Sequence, residues 1–310
     1  MPRAVDISNV EKSFILDALT SSNLRLDGRQ FDTFRDITLS FGAQLGSVTV
    51  NIGKTRYEEL SLGLGRTNER GRVNVQVSAE VTKPSEERKF DGIFTITTEL
   101  GPIASPAFEV GRPGEQEVIL SRILEKAIRR SRAIDTESLC IVAGQKCWSV
   151  RADVHVLNFD GGLIDACCLA TMAALYHFRR PDVSVDGERV TIHTMAERVP
   201  VPLSILHSPL CITFSFFGDG TVTLLDATAK EEQVREAELI VTANDFEVCQ
   251  VAKHGGKSID PALVVKSLQV AVGKVRDMNK LIRAKLAEDA SARGVQELSA
   301  ENDRGEPPIG

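Results

Sequence analysis

DTESLCIVAGQKCWSVRADVHVLNFDGGLIDACCLATMAALYHFRRPDVSV, from Asp135 to Val185, is the stretch that decides the fold. Two segments rich in β-branched residues predict two strands. The Gly161-Gly162 pair that follows them predicts a tight turn, because glycine adopts backbone conformations that other residues resist. An almost wholly apolar run from Leu163 to Phe178 then predicts a buried helix, which ends at the basic pair Arg179-Arg180.

The rest of the chain predicts two similar units. Alternating β-branched residues predict strands in the first half at Ile37–Phe41, Ser47–Ile52, Val73–Val81 and Ile93–Glu99. The same pattern predicts strands in the second half at Leu210–Phe217, Thr221–Leu225, Glu238–Ala243 and Glu247–Ala252. Apolar residues at helical spacing predict further helices at Ser8–Ser21, Glu115–Arg132 and Pro261–Glu288. The sequence therefore predicts an α+β fold in which two pseudo-symmetric αβ halves pack on each other.

The predicted organisation has four parts. They are an N-terminal helix and arm (1–30), a first half (31–196), a second half that ends in the long helix (197–288) and a loose polar tail (289–310). A proline-bracketed linker, Glu197 to Pro209, separates the halves. Tyr57 to Arg72 interrupts the strand rhythm with three glycines and mixed charges, and predicts an inserted loop. A glycine-rich phosphate cradle is disfavoured there, since no Gly-Lys-Ser/Thr and no apolar helix follow.

Composition limits the classes of function. A formal charge of −6 argues against a basic surface that binds nucleic acid over the whole protein, so RNA binding would need a local basic patch. The hydrophobic fraction of 42% is ample for a core, and the first residues, MPRAVDISNVEKSF, offer no signal-peptide core. The most apolar helix contains Asp165 and is shorter than the ~20 residues that a membrane span requires. We expect a soluble intracellular protein with no membrane partner.

Cysteine and histidine offer no chemistry in this pattern. The six cysteines form no Cys-x-x-Cys pair and lie mostly in apolar runs, which is typical of buried free thiols. The five histidines are isolated from one another in sequence. We therefore expect no metal site and no cofactor.

Six motifs, in this order and spacing, resemble one family. They are RLDGRQ (25–30), the arginine-rich helix after GRPGE, DTESLCIVAGQKCW, VRADVHVLNFDGGLIDA, HFRRPDVSVDG and VPLSI. Together they are similar to the RNase PH-like ring subunits of the eukaryotic RNA exosome, and the similarity covers residues 8 to 285. The resemblance implies an RNase PH fold of ribosomal-protein-like βαβ units. It also implies a hexameric ring with other RNase PH-like subunits, capped by OB-fold and KH-type proteins, with RNA in the central channel.

The resemblance also bears on catalysis. RNase PH enzymes cleave RNA with inorganic phosphate, so cationic and N–H donors must hold one anion against another. In active relatives a Gly-Gly-Thr/Ser-Arg turn supplies a hydroxyl and a guanidinium for this purpose. Here the turn continues as Leu163-Ile164, and both polar groups are missing. Asp165, next in the chain, would repel phosphate if exposed, or would be a first-turn carboxylate favoured by the helix dipole.

Two carboxylates match the positions of the family's catalytic pair. Asp226 follows a strand, and Glu232 lies six residues further on. Without a phosphate site we interpret them as remnants, with Asp226 capping a turn and Glu231-Glu232 on a solvated face. No catalytic residue is expected.

A basic helical face is the candidate for RNA contact, because phosphate contacts need cations and no base-specific geometry. Its members are Arg122, Lys126, Arg129 and Arg130, with Arg132 and the loop residue Arg112. A solvated face paired with Glu115, Glu117 and Glu125 is the open alternative. Arg179-Arg180 is equally consistent with RNA contact, a C-terminal helix cap or a subunit contact.

The sequence therefore predicts a non-catalytic subunit of the exosome ring that lines the RNA channel and supports 3′-to-5′ RNA processing and decay. The alternative is an active phosphate-dependent 3′-to-5′ exoribonuclease. Its support is the presence of Asp226 and Glu232. An intermediate is a composite site, in which this chain lends arginines to a neighbouring subunit. The implied partners are other ring subunits, OB-fold and KH cap proteins, associated nucleases and RNA. The implied location is the nucleus, including the nucleolus, and the cytoplasm.

Overall fold

The structure, a computed structural model, describes residues 7–53, 71–108, 114–186, 189–194 and 197–293. Its α-helices are α1 (Asn9–Thr20), α2 (Glu115–Leu124), α3 (Leu163–His177), α4 (Ala229–Val234) and α5 (Pro261–Arg293). The main strands of the first half are β1 (Ile37–Phe41), β2 (Ser47–Ile52), β3 (Gly71–Thr82), β4 (Ile93–Leu100), β5 (Cys140–Val142) and β6 (Lys146–Asn158). Short strands follow at β7 (Arg179–Arg180), β8 (Val183–Asp186), β9 (Arg189–Ile192) and β10 (Val201–Pro202). The second half contains β11 (Leu210–Phe217), β12 (Val222–Leu225), β13 (Ala237–Ala243) and β14 (Val248–Ala252).

The first sheet has the strand order β1-β2-β3-β6-β4, with β5 paired to the start of β6. Strand β4 runs parallel to β6, and the other pairs are antiparallel. Buried and part-exposed side chains alternate along β2, because one face of the sheet covers the core. This alternation is the signal that made the strands predictable from sequence.

One predicted boundary is wrong in this sheet. The inserted loop was expected to include Arg72, but β3 begins at Gly71, and Arg72 pairs with Asn51 of β2. These two residues belong to the sheet because their backbone groups continue its ladder. The rest of the predicted loop lies outside the described residues.

The second sheet has the order β12-β11-β13-β14, all antiparallel. Helix α3 contacts β2 and β3 of the first sheet and β11 of the second. Most of its side chains are fully buried, and the larger of two hydrophobic clusters runs through both halves. A helix covered on both sides must be apolar all round, which explains its composition. The predicted α+β fold with two αβ halves is confirmed.

The helices differ from prediction at three places. Helix α2 continues as a π-helical turn from Glu125 to Arg130, and the basic segment does not stay helical to Arg132, whose φ of 59° is left-handed. Helix α4, which was not predicted, begins with a capping box between Thr228 and Glu231. Helix α5 extends to Arg293, so residues 289–293 are helical and do not belong to a loose tail. Arg293 explains this extension, because it donates to the carbonyls of Gly42 and Ala43.

Among the described residues, no helix combines the length and the apolar character needed to cross a membrane.

Candidate functional site

The glycine turn between β6 and α3 lies against the second half of the chain. Gly161 and Gly162 both have positive φ, at 76° and 64°. A Cβ atom on Gly161 would lie 2.3 Å from the carbonyl oxygen of Ala227, and one on Gly162 would lie 2.8 Å from Oδ1 of Asp226. Only glycine fits both the backbone conformation and the space. The turn therefore brings the start of α3 next to the segment that follows β12.

Asp226 is held by two arginines. Its side chain is 1% exposed, and Arg35 donates from Nη2 to Oδ1 at 2.6 Å and from Nε to Oδ2 at 2.9 Å. Arg29 Nη1 donates to Oδ2 at 2.9 Å, and the backbone N–H of Arg35 donates to the same oxygen at 2.9 Å. Burial alone would raise the pKa of Asp226, but the hydrogen bonds and charge of Arg35, with Arg29, lower it below its usual value. A carboxyl group with a low pKa stays ionised at neutral pH and is a poor general acid.

Arg35 also holds the glycine turn. It donates to the carbonyl of Gly161 at 3.1 Å and to the carbonyl and Oδ2 of Asp160 at 2.6 and 2.9 Å. One guanidinium thus connects the segment before β1, the turn and the second half.

Arg25 makes a matching contact with Glu231. It donates to both carboxylate oxygens, at 3.2 and 2.8 Å, and to the carbonyls of Leu225 and Asp226. Both side chains are 0% exposed. The interpretation that Glu231 lies on a solvated face is therefore wrong, because an arginine 206 residues earlier in the chain covers it.

Glu232 faces the glycine turn. Its Oε1 accepts the N–H of Gly162 at 2.9 Å, and its side chain is 18% exposed, so a solvated face is wrong here too. Nη1 of Arg235 lies 3.8 Å from the same oxygen. Burial raises the pKa of Glu232 to about 7, which Arg235 and the Gly162 N–H only partly offset.

A cavity of about 120 Å³ opens beside this turn. Leu163, Ile164 and Phe159 form part of its apolar wall, and Glu232, Glu238 and Arg235 line it too. Arg235 contacts Glu238 as well as Glu232. Two carboxylates thus share the one arginine that lines the cavity within the described ranges. This wall is unfavourable for an anion such as phosphate.

Asp165 does not face the cavity as a repelling charge. It is 5% exposed, and its oxygens accept the N–H and the hydroxyl of Thr213 at 2.9 and 2.7 Å. Burial raises its pKa to about 8. Its position in the first turn of α3 agrees with the sequence interpretation, but its contact is with β11 of the second sheet.

The basic residues of the helical segment are exposed. Arg122, Lys126, Arg129, Arg130 and Arg132 all face solvent. Arg129 pairs with Glu125 at 2.9 Å, as the competing interpretation predicted for this face. Within the described part of the chain the other four make no ion pair, and Arg112 lies outside it. Four exposed, unpaired cations remain available on and after this segment.

The pair at the end of α3 has two separate contacts. Arg179 donates to the carbonyls of Tyr176 and Phe178, which is the predicted helix cap. Arg180 donates to the carbonyl of Ser138. In the ranges that the structure describes, no group of histidine, cysteine and carboxylate side chains is arranged to hold a metal ion.

Sequence reasoning missed the three arginines that bind the carboxylates. Arg25, Arg29 and Arg35 lie within RLDGRQFDTFR, whose first six residues were interpreted only as a family motif. A signal was present in the excess of arginine beside a predicted buried strand, but the carboxylates that neutralise it are about 200 residues away.

The fold and the glycine-turn site define a protein of the RNase PH type. Residues 33–181 match the model of the 3′ exoribonuclease family, domain 1, and residues 207–274 match domain 2 of that family. The chain belongs to the 3′ exoribonuclease family and, within it, to the family of exosome complex components named RRP45. The family resemblance predicted from the six motifs is confirmed.

Curated relatives cover nearly the whole chain. The exosome complex component rrp45 of Schizosaccharomyces pombe is 47% identical over 307 residues, which cover 98% of this chain and 100% of the relative. RRP45 of Saccharomyces cerevisiae is 43% identical over 320 residues, covering 98% and 99%. RRP45 of Homo sapiens is 42% identical over 288 residues, covering 93% of this chain and 62% of the longer human protein.

Two solved structures from archaeal exosomes have the same fold. The Archaeoglobus fulgidus exosome with RNA bound to the active site contains a chain with a TM-score of 0.72 and 29% identity, covering 88% of this chain and 97% of that one. An archaeal exosome core structure gives a TM-score of 0.69 and 26% identity, covering 89% and 97%.

The contacts of Arg35 give a stability prediction. Replacing Arg35 by Met leaves Asp226 buried without its main partner, and we expect a loss of ~3–5 kcal/mol in the free energy of unfolding. Urea denaturation of the purified chain measures it. Because pairing lowers the pKa of Asp226, the pair stabilises the fold above about pH 4 and this contribution is lost as the pH falls through the lower folded-state value. Arg122→Met, at an exposed site, is the matched control and should change stability by no more than ~0.5 kcal/mol. Equal losses in the two variants would contradict the role of Arg35.

Glu232 gives a pH prediction of opposite sign. Its raised pKa means that the folded state binds the proton more tightly than the unfolded state does. The free energy of unfolding therefore falls as the pH rises from about 4.5 to about 7. We expect Glu232→Gln to gain stability relative to the wild type across this window, by at most ~1.4 kcal/mol per pH unit, and to level off above it. Urea denaturation at a series of pH values measures the difference. Glu115→Gln, on an exposed site, should show no such trend, and a flat difference for Glu232→Gln would refute the assignment.

Proposed function

We propose that this chain is a non-catalytic, structural subunit of an RNA exosome ring that supports 3′-to-5′ RNA processing and decay. The proposal that the chain is non-catalytic rests on one observation, the cavity beside the glycine turn. Leu163 and Ile164 stand where active relatives are expected to present a hydroxyl and a guanidinium, and the cavity wall carries two carboxylates around one arginine. Leu163 and Ile164 offer an attacking phosphate neither a cation nor a hydroxyl, and the Arg235 and Thr213 side chains that line the cavity are already bound to carboxylates.

The retained carboxylates support the same proposal. Asp226 has all its acceptor capacity directed at Arg29 and Arg35, and its lowered pKa keeps it ionised at neutral pH. A group so engaged can neither donate a proton nor bind a metal without breaking the contacts that hold the arm. Its role is then to position the fold.

The partners follow from the family. Its relatives are named as components of the exosome complex, and an archaeal neighbour at 29% identity is from an exosome with RNA bound. We propose other RNase PH-like ring subunits and RNA as partners, with OB-fold and KH cap proteins and associated nucleases joining the ring. A nuclear, nucleolar and cytoplasmic location is part of the same proposal.

The RNA-facing surface is proposed to be the exposed cations Arg122, Lys126, Arg130 and Arg132. They are unpaired within the described residues, unlike Arg129, whose guanidinium is bound to Glu125. Arg112, which precedes α2 in sequence, is proposed to join them. Contacts from such residues to phosphate give sequence-independent binding, as a channel requires.

An active phosphorolytic exoribonuclease is the second candidate, and Glu232 is the observation in its favour. Its pKa of about 7 and its position at the cavity are suitable for a general acid. This candidate requires another cation to replace the arginine missing at Ile164.

A phosphorolysis assay separates the two candidates. The tagged chain is purified from its native source at stringent salt and incubated with RNA and inorganic phosphate, and nucleoside diphosphates are measured. We expect other ring and cap subunits to co-purify, and we expect Glu232→Gln to leave any diphosphate release unchanged. Release from the chain alone that needs phosphate and disappears in Glu232→Gln would establish the active alternative.

The salt dependence of RNA binding tests the proposed surface. Each phosphate contact to a single strand contributes ~0.7 to the slope of log K against log salt concentration. The triple variant Arg122→Gln, Lys126→Gln, Arg130→Gln should therefore reduce the slope of the assembled ring by up to ~2. Arg112→Gln should reduce it by ~0.7.

The control for this measurement removes the same charge elsewhere. Lys253, Lys266 and Lys280 are exposed in the second half of the chain, and their triple replacement by Gln changes the net charge equally. If both triple variants lower the slope to the same extent, the effect is one of overall charge, and the proposed surface is wrong.

A further inference from the structure

A second cavity lies where the end of α3 meets the β5–β6 hairpin. Its volume is about 180 Å³. Ile141, Trp148, Val183, Val185 and Val201 line it, and Arg180 lies in its wall. Most of the lining residues are thus apolar, and Ser138, Asp182 and Arg180 are the polar members of the wall.

Arg180 is poorly compensated for a half-buried guanidinium. A guanidinium has five N–H donors, and the described contacts use one of them, from Nη1 to the carbonyl of Ser138 at 3.0 Å. Within the described ranges no carboxylate lies in ion-pair distance of it. The other buried arginines differ, because Arg25 and Arg35 each bind a buried carboxylate. Burial lowers the pKa of Arg180, so an anion in the cavity would stabilise its charged form.

The nearby carboxylate is already engaged. Asp182 also lines the cavity, but its Oδ2 accepts from Arg198 at 2.9 Å and its Oδ1 accepts the N–H of Val183 at 2.9 Å. The hydrogen bond from Arg198 lowers the pKa of Asp182, so it is ionised at neutral pH. A fixed negative charge at the rim disfavours a polyanion such as RNA and tolerates a single carboxylate that reaches past it.

An apolar strip continues from the cavity along the β8–β9 hairpin. Val183 pairs with Ile192, and Val185 pairs with Val190, so the four side chains lie on one face of the hairpin. Val183 and Val185 line the cavity. Val185 and Ile192 are 45% and 48% exposed to solvent. The strip is long enough for an extended segment of a few residues.

We propose that this cavity and strip are a docking site for an extended segment of a partner protein, in which an Asp or Glu that binds Arg180 lies next to a large apolar side chain that enters the cavity. The carboxylate would accept the free N–H donors of Arg180. The apolar side chain would pack against Trp148 and Ile141, and further apolar residues would lie over Val185 and Ile192. The inference is independent of whether the chain is catalytic.

Two side chains of the wild-type protein report on this cavity. Trp148 is the only tryptophan among the 310 residues, so the tryptophan fluorescence of the isolated chain comes from the cavity wall alone. Cys140 also lines the cavity and is partly exposed, which allows a thiol-bearing peptide to be trapped there by disulfide exchange. Cys249, exposed on β14 in the other sheet, is an internal control.

The test uses two peptides that differ in one group. Both carry the same thiol linker, one ending in Leu-Glu and the other in Leu-Gln, and they compete for Cys140 of the full chain in the presence of a reductant. We expect the Glu peptide to be captured about tenfold more than the Gln peptide at Cys140, and equally at Cys249. A thiol-free Leu-Glu peptide should change Trp148 fluorescence at a lower concentration than its Leu-Gln counterpart.

Variants of Arg180 then separate charge from fold. Arg180→Met should remove the preference for Glu, and Arg180→Lys should keep part of it, with thermal unfolding confirming that both are folded. Equal capture of the two peptides by the wild-type chain would overturn the proposal. The proposal would also be overturned if an oligouridine protected Cys140 at the same concentration at which the peptide saturates the site. In that case the site would bind RNA.

Discussion

A buried carboxylate is stable only where fixed cations and N–H groups compensate its charge, and the junction of this fold depends on meeting that condition at Asp226. Arg35 binds both oxygens of Asp226 and also the carbonyls of Asp160 and Gly161. The segment before β1, the glycine turn and the second half of the chain therefore meet at one guanidinium. Such a pair adds little net stability over an apolar substitute, but removing one partner is costly, so it fixes the mutual position of the three segments.

This constraint changes how the carboxylates of Asp226 and Glu232 are interpreted. Asp226 and Glu232 stand at positions where active relatives are expected to do chemistry, yet their environments shift their pKa values in opposite directions. Such a separation often marks an acid and a base. Here the partners of each group are structural: Arg29 and Arg35 for Asp226, and the N–H of Gly162 for Glu232. The contacts of both carboxylates therefore hold the two halves of the fold together.

Local features were predictable from the sequence, and long-range pairing was not. Strands β1 and β2 follow directly from side-chain alternation, and the apolar pair Leu163-Ile164 is visible because it follows the glycine turn directly in sequence. The burial of Glu231 is invisible in a local window, since its partner Arg25 lies 206 residues away. The start of β3 at Gly71 was missed for a related reason, because only pairing with β2 distinguishes its first residues from a loop.

The position of Ile164 also follows from the packing of α3. Asp165, the next residue, is fixed on the second sheet by two hydrogen bonds from Thr213, and the glycines before the helix have no freedom to move away from Ala227 and Asp226. The helix start is therefore held on both sides, and the side chain at position 164 must line the cavity. A small rotation of the helix therefore cannot bring a polar side chain to this position in place of the apolar one. The apolar lining of the cavity at this position is thus fixed by the same contacts that hold the start of α3 between the two sheets.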